Sequence, residues 1–254
     1  MSEFMPLLFQ PDMVSLTLKF GANDMLFFGN DPGGAAANGV AALDVVAGNA
    51  VSVRTAVVGS VDDAIQWFQQ AANGAAPEMA GIDTYLSWAT GTSGWRPMDT
   101  FLRNTYHQVK QSVFASNSAS GSMAIQGMAT AIRLRQTWAK ILLNETHPKV
   151  QYFAICKKQY SYNHAMNTWL AQQIGHNVAI NVSNQHEWDA LFSALACWRA
   201  FSGAWTTDLM KTASASNLIL PAGNVTYMWP YQPRSASARG GIAGSLIRAE
   251  QGRR

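Results

Sequence analysis

Two sets of side chains in this chain have the types and spacing of a polyanion site. Arg103, His107 and Lys110 stand at i, i+4 and i+7, and Arg133, Gln136, Thr137 and Lys140 repeat that arrangement further along. On helices, each set would place two cations about 10 Å apart along one face. At that separation long cationic arms reach neighbouring phosphates of an extended strand. Lys157 and Lys158, followed by Tyr160 and Tyr162, add a basic doublet and two rings. Cations hold a phosphate backbone, and rings stack on bases with little regard to sequence. Arg135 joins the set, although its phase falls near the apolar stripe. The candidate nucleic-acid-binding residues are therefore Arg103, His107, Lys110, Arg133, Arg135, Lys140, Lys157, Lys158, Tyr160 and Tyr162. Taken singly, each also reads as a solvated helix face or a core tyrosine.

Catalytic signatures are absent. The glycine-rich stretch Gly29 to Gly39 has neither dinucleotide nor P-loop spacing, and it carries Asp31 where a phosphate wants no acid. Gly91-Thr-Ser-Gly94 lacks the spacing of a nucleophile elbow. His186-Glu-Trp-Asp189 has no second histidine four residues on, so it is not a zincin helix. Glu187 and Asp189 are accounted for by the helix macrodipole, which favours acids near an N-terminus. Cys156 and Cys197 form neither a disulfide framework nor a metal site. No catalytic residue, metal ligand or cofactor is expected. The competing enzyme reading needs His107, His164 or His186 to meet a carboxylate in space.

The elements that must position these residues change character along the chain. Val14 to Phe20 alternates as a half-buried strand does. Leu43 to Val46 and Val51 to Val58, with Ala47-Gly48-Asn49-Ala50 between them, read as a hairpin or two short strands. Ser60 with Asp63 opens a short helix, Val61 to Ala72, stopped at Gly74. From Pro97 the period is helical through Val113, then Ala115 to Ser122 reads as a flexible linker. Further helices are expected over Met123 to Leu143, ended by Pro148, over Tyr160 to Ile174, and from Asn184, whose capping pair with Glu187 precedes an apolar face of Trp188, Leu191, Phe192, Leu195 and Trp198.

The expected fold class is α+β, predominantly α: a strand-containing N-terminal region, a helical bundle core, a flexible N-terminal arm and a basic C-terminal tail. The corresponding divisions are 1–94, 95–210 and 211–254. Charged residues are only 13% of the chain, about half the usual proportion of roughly 25%, and such a surface resists self-association weakly. Up to Gly94 there are two basic and nine acidic residues, whereas from Trp95 onward there are sixteen basic and six acidic. Arg234, Arg239, Arg248, Arg253 and Arg254 make the end basic. Asymmetry of this kind points to a polyanion partner.

These features together predict a self-assembling coat or nucleocapsid-type protein, not an enzyme, holding single-stranded nucleic acid, RNA favoured. In general plan it resembles filamentous-virus coat proteins, without a matching motif. Its partners would be copies of itself and that strand. The alternatives are a scaffold that binds no nucleic acid, and the enzyme reading above. The first residues show no signal-peptide pattern and no apolar run is long enough to span a membrane. The expected location is the cytoplasm or a virion.

Overall fold

The computed structural model describes residues 24–119, 121–175, 178–213 and 217–230. The expected arm, the strand at Val14 to Phe20 and the arginine-rich tail lie outside them. The core is a five-stranded mixed sheet. Strands β1 (Asp24–Asp31), β2 (Asn38–Val46) and β3 (Asn49–Val58) form an antiparallel meander. The tight turn between β2 and β3 falls at Ala47 and Gly48, both with positive φ, as a two-residue hairpin matching strand twist requires. After helix α1 (Val61–Ala72), strand β4 (Met79–Ile82) lies parallel to β1. The chain then passes through β5 (Trp88–Ala89), α2 (Pro97–Thr105) and α3 (Ser122–Thr137) before β6 (Leu142–Glu145) pairs parallel with β4. The strand order is β3-β2-β1-β4-β6. Helices α4 (Pro148–Cys156), α5 (His164–Ile174) and α6 (Gln185–Phe201) follow. The short strands β7 (Thr207–Asp208), β8 (Leu218–Ile219) and β9 (Met228–Trp229) close the described chain, with β5 pairing β8 and β7 pairing β9.

Both faces of the sheet are covered, and residue parity decides which residue goes where. Leu26 and Phe28 of β1, Val40 and Ala42 of β2, and Ala80 and Ile82 of β4 pack against α1 and α3. Phe27, Ala41, Leu43, Val45 and Met79 pack against α6, backed by α5 and Tyr152 of α4. This is why Met25 to Phe28 reads as an unbroken apolar run rather than an alternation. Helix α6 is buried from Trp188 through Trp198, as befits a helix apolar on most sides. Its start is the one expected: the Asn184 carboxamide oxygen accepts from the amides of His186 and Glu187. A third cluster joins α2, α4 and β9 through Met98, Leu102, Val150, Phe153, Tyr227 and Trp229.

The helical-bundle expectation is corrected to this mixed α+β fold, and the individual differences have local causes. The helix expected from Pro97 to Val113 stops at Thr105. Tyr106 leaves helical geometry at φ −119° and ψ 61°, and a 3-10 segment, His107–Ser112, follows. The expected linker is built in: Ser116 is buried and its hydroxyl oxygen accepts from the Ala89 amide. The helix expected through Leu143 ends at Thr137, because Leu142 to Glu145 finds a strand partner in β4. Pairing across the sheet overrides a local period. Pro148 begins a helix rather than ending one, since its missing N–H costs nothing at the first helical position. The sheet takes strands from both sides of residue 94. No helix among the described residues is long and apolar enough to cross a membrane.

Candidate metal centre

Three aspartates meet at one end of the sheet. Asp31 is the last residue of β1, and Asp83 directly follows β4. The two strands are parallel neighbours with Asn30 opposite Ile82, so their next residues emerge side by side. The Asp83 amide donates to the Asn30 carbonyl at 2.9 Å, which pins the two ends together. The Asn30 carboxamide in turn donates to the Asn38 side chain and the Gly39 carbonyl, fixing β1 to β2 at the same level. Crevices outside the carboxyl ends of parallel strands are where ligands bind in sheets of this kind.

The third carboxylate comes from α6, and only glycine lets it come close enough. A Cβ on Gly29 would sit 1.8 Å from the Ala190 carbonyl oxygen, and one on Gly81 would sit 2.4 Å from that of Ser193. The helix therefore rests directly on the backbone of β1 and β4, and Asp189 reaches Asp31 and Asp83. One oxygen from each of the three carboxylates lies within 4.8 Å of the others.

Asp31 and Asp189 are buried and Asp83 is partly so. Burial, then the charge of Asp31, pushes Asp189 up to about 8. Burial and the charges of Asp31 and Asp189 hold Asp83 well above the usual carboxylate range. Burial also raises Asp31, against the opposing hydrogen bond from His186. His186 Nδ1 lies 2.7 Å from Asp31 Oδ2. That hydrogen bond, against some burial, raises the imidazole above its ordinary value. Oδ1 of Asp189 and the hydroxyl of Tyr160 are both buried outside full hydrogen-bond geometry with any partner among the described residues, although they lie close enough for each to shift the other's titration. Unsatisfied buried polar atoms of this kind are rare and call for a ligand, a water or an ion.

The donor set fits a hard divalent cation. Three carboxylates supply oxygen only, the choice of Mg²⁺ or Mn²⁺ rather than of a thiolate-seeking metal. A cation there would offset the mutual repulsion and give the orphaned Asp189 oxygen a partner. His186 would then act as an outer partner that orients Asp31.

A groove lies on the side of the centre where Lys149 and Tyr160 stand, and Asp83 is the aspartate that lines it. Its open part, about 730 Å³, is lined by Gln108, Gln111, Lys149, Gln159, Tyr160 and Asn184 among others. A smaller cleft of about 320 Å³ adjoins it, reaching Asp83, Tyr85, Phe114, Met123 and His147. Gln111, Ser112 and Lys149 line both. Lys149 sits in the first turn of α4, exposed, with its ammonium 5.6 Å from the Tyr160 ring centre. It makes no salt bridge among the described residues, and its charge acts on all three aspartates.

Of the residues expected to bind nucleic acid, Tyr160 and Tyr162 line this groove. Tyr160 packs edge-on against Trp188 and Tyr152, and Tyr162 donates to the Val182 carbonyl. The others are dispersed. Arg103 donates to the carbonyls of Lys110 and Val113, and His107 and Lys110 belong to the 3-10 segment, so the three share no helical face. Arg133 pairs with Asp62 of α1, and Arg135 donates to the Asn224 carbonyl. Lys140 precedes β6, at the end of the sheet opposite the aspartates. Lys157 donates to the Ala154 carbonyl and Lys158 is exposed. Sequence reasoning missed Asp31, Asp83 and Asp189. The available signal was an apolar run ending in aspartate, twice: Met-Leu-Phe-Phe-Gly-Asn-Asp31 and Met-Ala-Gly-Ile-Asp83.

No family model and no curated protein matches the chain. Among solved structures, that of Thermus thermophilus RuvC is similar, with a TM-score of 0.42 and 11% identity over 70% of this chain and 97% of that one. The expectation of a capsid, nucleocapsid or virion coat protein, and with it the non-enzyme reading, is corrected here. The centre of the fold is a largely buried aspartate triad at one end of a mixed sheet rather than a basic helical groove. The same triad is a candidate set of metal ligands where none was expected.

Proposed function

We propose that this chain is a divalent-cation-dependent hydrolase of phosphodiester bonds in nucleic acid. The observation that carries this reading is the convergence of Asp31, Asp83 and Asp189, with one oxygen of Asp189 buried and unpartnered. When bound, a divalent cation supplies a water of lowered pKa and neutralises charge on a phosphoryl group. The chain's own residues do the rest. The three carboxylates would hold the cation, and the carboxylate of Asp31 is oriented by His186. Lys149, exposed at the groove beside the triad, meets a phosphate on the substrate backbone. The amides of Gln108, Gln111, Gln159 and Asn184 line the open groove, where they can donate to a strand. The surplus of basic over acidic residues from Trp95 onward favours a polyanionic substrate.

The test is cleavage of labelled single- and double-stranded DNA and RNA with Mg²⁺ or Mn²⁺, with chelator as control. Cleavage is expected with either metal and none with chelator. Asp31→Asn, Asp83→Asn and Asp189→Asn should each lose activity by at least about 100-fold, the upper end of what loss of even an outer-shell partner costs. Metal-independent cleavage, or full activity in the three variants, would overturn the reading.

A further inference from the structure

The smaller cleft beside the triad differs in character from the open groove. Its walls include the Tyr85 ring, and two of the large apolar side chains that the fold leaves exposed, Phe114 at 58% and Met123 at 41%, also line it. Tyr85 is held rigidly. Its hydroxyl donates to the Phe114 carbonyl and accepts from the Phe114 amide, each at 3.0 Å, and the Arg96 guanidinium covers its ring at 4.8 Å. The loop that carries Phe114 is thereby fixed to the chain that follows Asp83. Polar side chains stand with these apolar ones: Thr84, Gln111, Ser112, Thr146 and His147, with the charged Asp83, Glu145 and Lys149. His147 is kept neutral near pH 7, because burial and the charge of Lys149 lower its imidazole to about 4.

A cleft of this size that sets Tyr85, Phe114 and Met123 beside hydrogen-bonding side chains matches a flat heteroaromatic ring with hydrogen-bonding edges. Its place decides which ring. Gln111, Ser112 and Lys149 form the shared border between slot and groove, and Asp83 lies on the slot side of that border. A phosphate drawn to Lys149 beside the triad therefore has the slot within one nucleotide's reach. Resting on the hydrolase reading, we infer that the cleft lined by Tyr85, Phe114 and Met123 receives one unstacked nucleobase of the substrate, adjoining the phosphate held at Lys149. Phe114 supplies the stacking face and Gln111 meets the base edge. The enzyme therefore acts where a base is free to leave its stack, on single strands or unpaired positions, since a paired base must first be unpaired and unstacked.

The experiment needs no turnover. Calorimetric binding of adenosine monophosphate and of ribose 5-phosphate is compared in the wild type, Phe114→Ala, Met123→Ala, Lys149→Ala and the control Ile125→Ala. Ile125 is exposed on α3 and does not line the cleft. The nucleotide should bind about tenfold more tightly than the sugar phosphate, in line with base–aromatic stacking. Phe114→Ala should bring the two to within about twofold, and Met123→Ala should narrow the gap. Lys149→Ala should weaken both alike and keep their ratio, and Ile125→Ala should change neither. Equal affinity in the wild type, no binding of either compound, or a ratio unaffected by Phe114→Ala would overturn the inference. The two readings fail separately. Base preference without strand cleavage would retain the cleft and remove the hydrolase. Cleavage without base preference would do the reverse.

Discussion

At the scale of the residue, the centre is a set of acids held against their own preference for water. Asp189 shows this most directly, raised from the ordinary aspartate value of 3.8 to about 8 by burial and by Asp31. In the metal-free chain the folded state keeps a proton there that the unfolded state releases near pH 4. The stability this group contributes is therefore fully present below about pH 4 and is lost as pH rises through about 8. Asp189→Asn keeps the shape and removes the titration. The gap in melting temperature between variant and wild type, both metal-free, should widen in the variant's favour between pH 4 and 8. His147 titrates in the opposite sense, since its lowered value costs stability as pH falls from 6.5 towards 4, but it is common to both proteins and cancels in the comparison. Added Mg²⁺ or Mn²⁺ should raise the wild-type melting temperature near pH 8 and leave the variant's nearly unchanged. A gap that stays constant with pH would mean that Asp189 ionises in the native state without penalty.

At the scale of the element, the site depends on how closely one helix lies on two strands. β1 and β4 bring Asp31 and Asp83 together by register alone. α6 must then approach to backbone contact, which Gly29 and Gly81 permit. Gly29→Ala places a methyl group where the Ala190 carbonyl stands, and the clash is with backbone rather than with a flexible side chain. Overpacking of this kind costs about 1–3 kcal/mol, and here it also lifts Asp189 away from its partners. Denaturant unfolding should show a loss in that range, and metal affinity by calorimetry should fall at least about tenfold, since small misplacements of ligands are costly. Unchanged metal affinity in a folded Gly29→Ala protein would show that α6 position does not set the centre.

At the scale of the whole molecule, the sheet is joined to the α2, α4 and β9 cluster by an ion group with no access to water. Arg96, fully buried, donates to both oxygens of Asp99 and both of Glu145, and to Ser87. Glu145 ends β6 and also accepts from the Leu86 amide, so one carboxylate ties the sheet, the chain after β4 and the start of α2. Burial works against the charge on Arg96, but Glu145 and Asp99 more than offset it and hold the guanidinium ionised. Removing one member leaves the others buried and uncompensated. Arg96→Met should destabilise by about 3–5 kcal/mol, read from urea or thermal unfolding. Replacing Arg96, Asp99 and Glu145 together with Met, Asn and Gln should cost less than the single change. A triple variant worse than the single one would mean that the group supports the fold beyond its charge balance.

The sequence by itself determined the elements whose signals are local. The capped starts of α1 and α6 follow from Ser60 and Asn184, each with an acid three residues on, and the hairpin of β2 and β3 follows from Ala47-Gly48 between valine-rich runs. Elements whose identity rests on a distant partner were not legible. Leu142 to Glu145 has a helix behind it and becomes a strand only because β4 offers an edge, and Tyr106 breaks a helix that its neighbours would continue. The site was illegible for the same reason in stronger form. Asp31 read as a loop acid, Asp83 carried no motif, and Asp189 was explained by the helix dipole. A carboxylate in sequence has no property that distinguishes a solvated charge from a metal ligand. That property is desolvation beside other carboxylates, and it arises only when parallel pairing aligns two strand ends and glycine backbone admits a third group from a helix more than a hundred residues away.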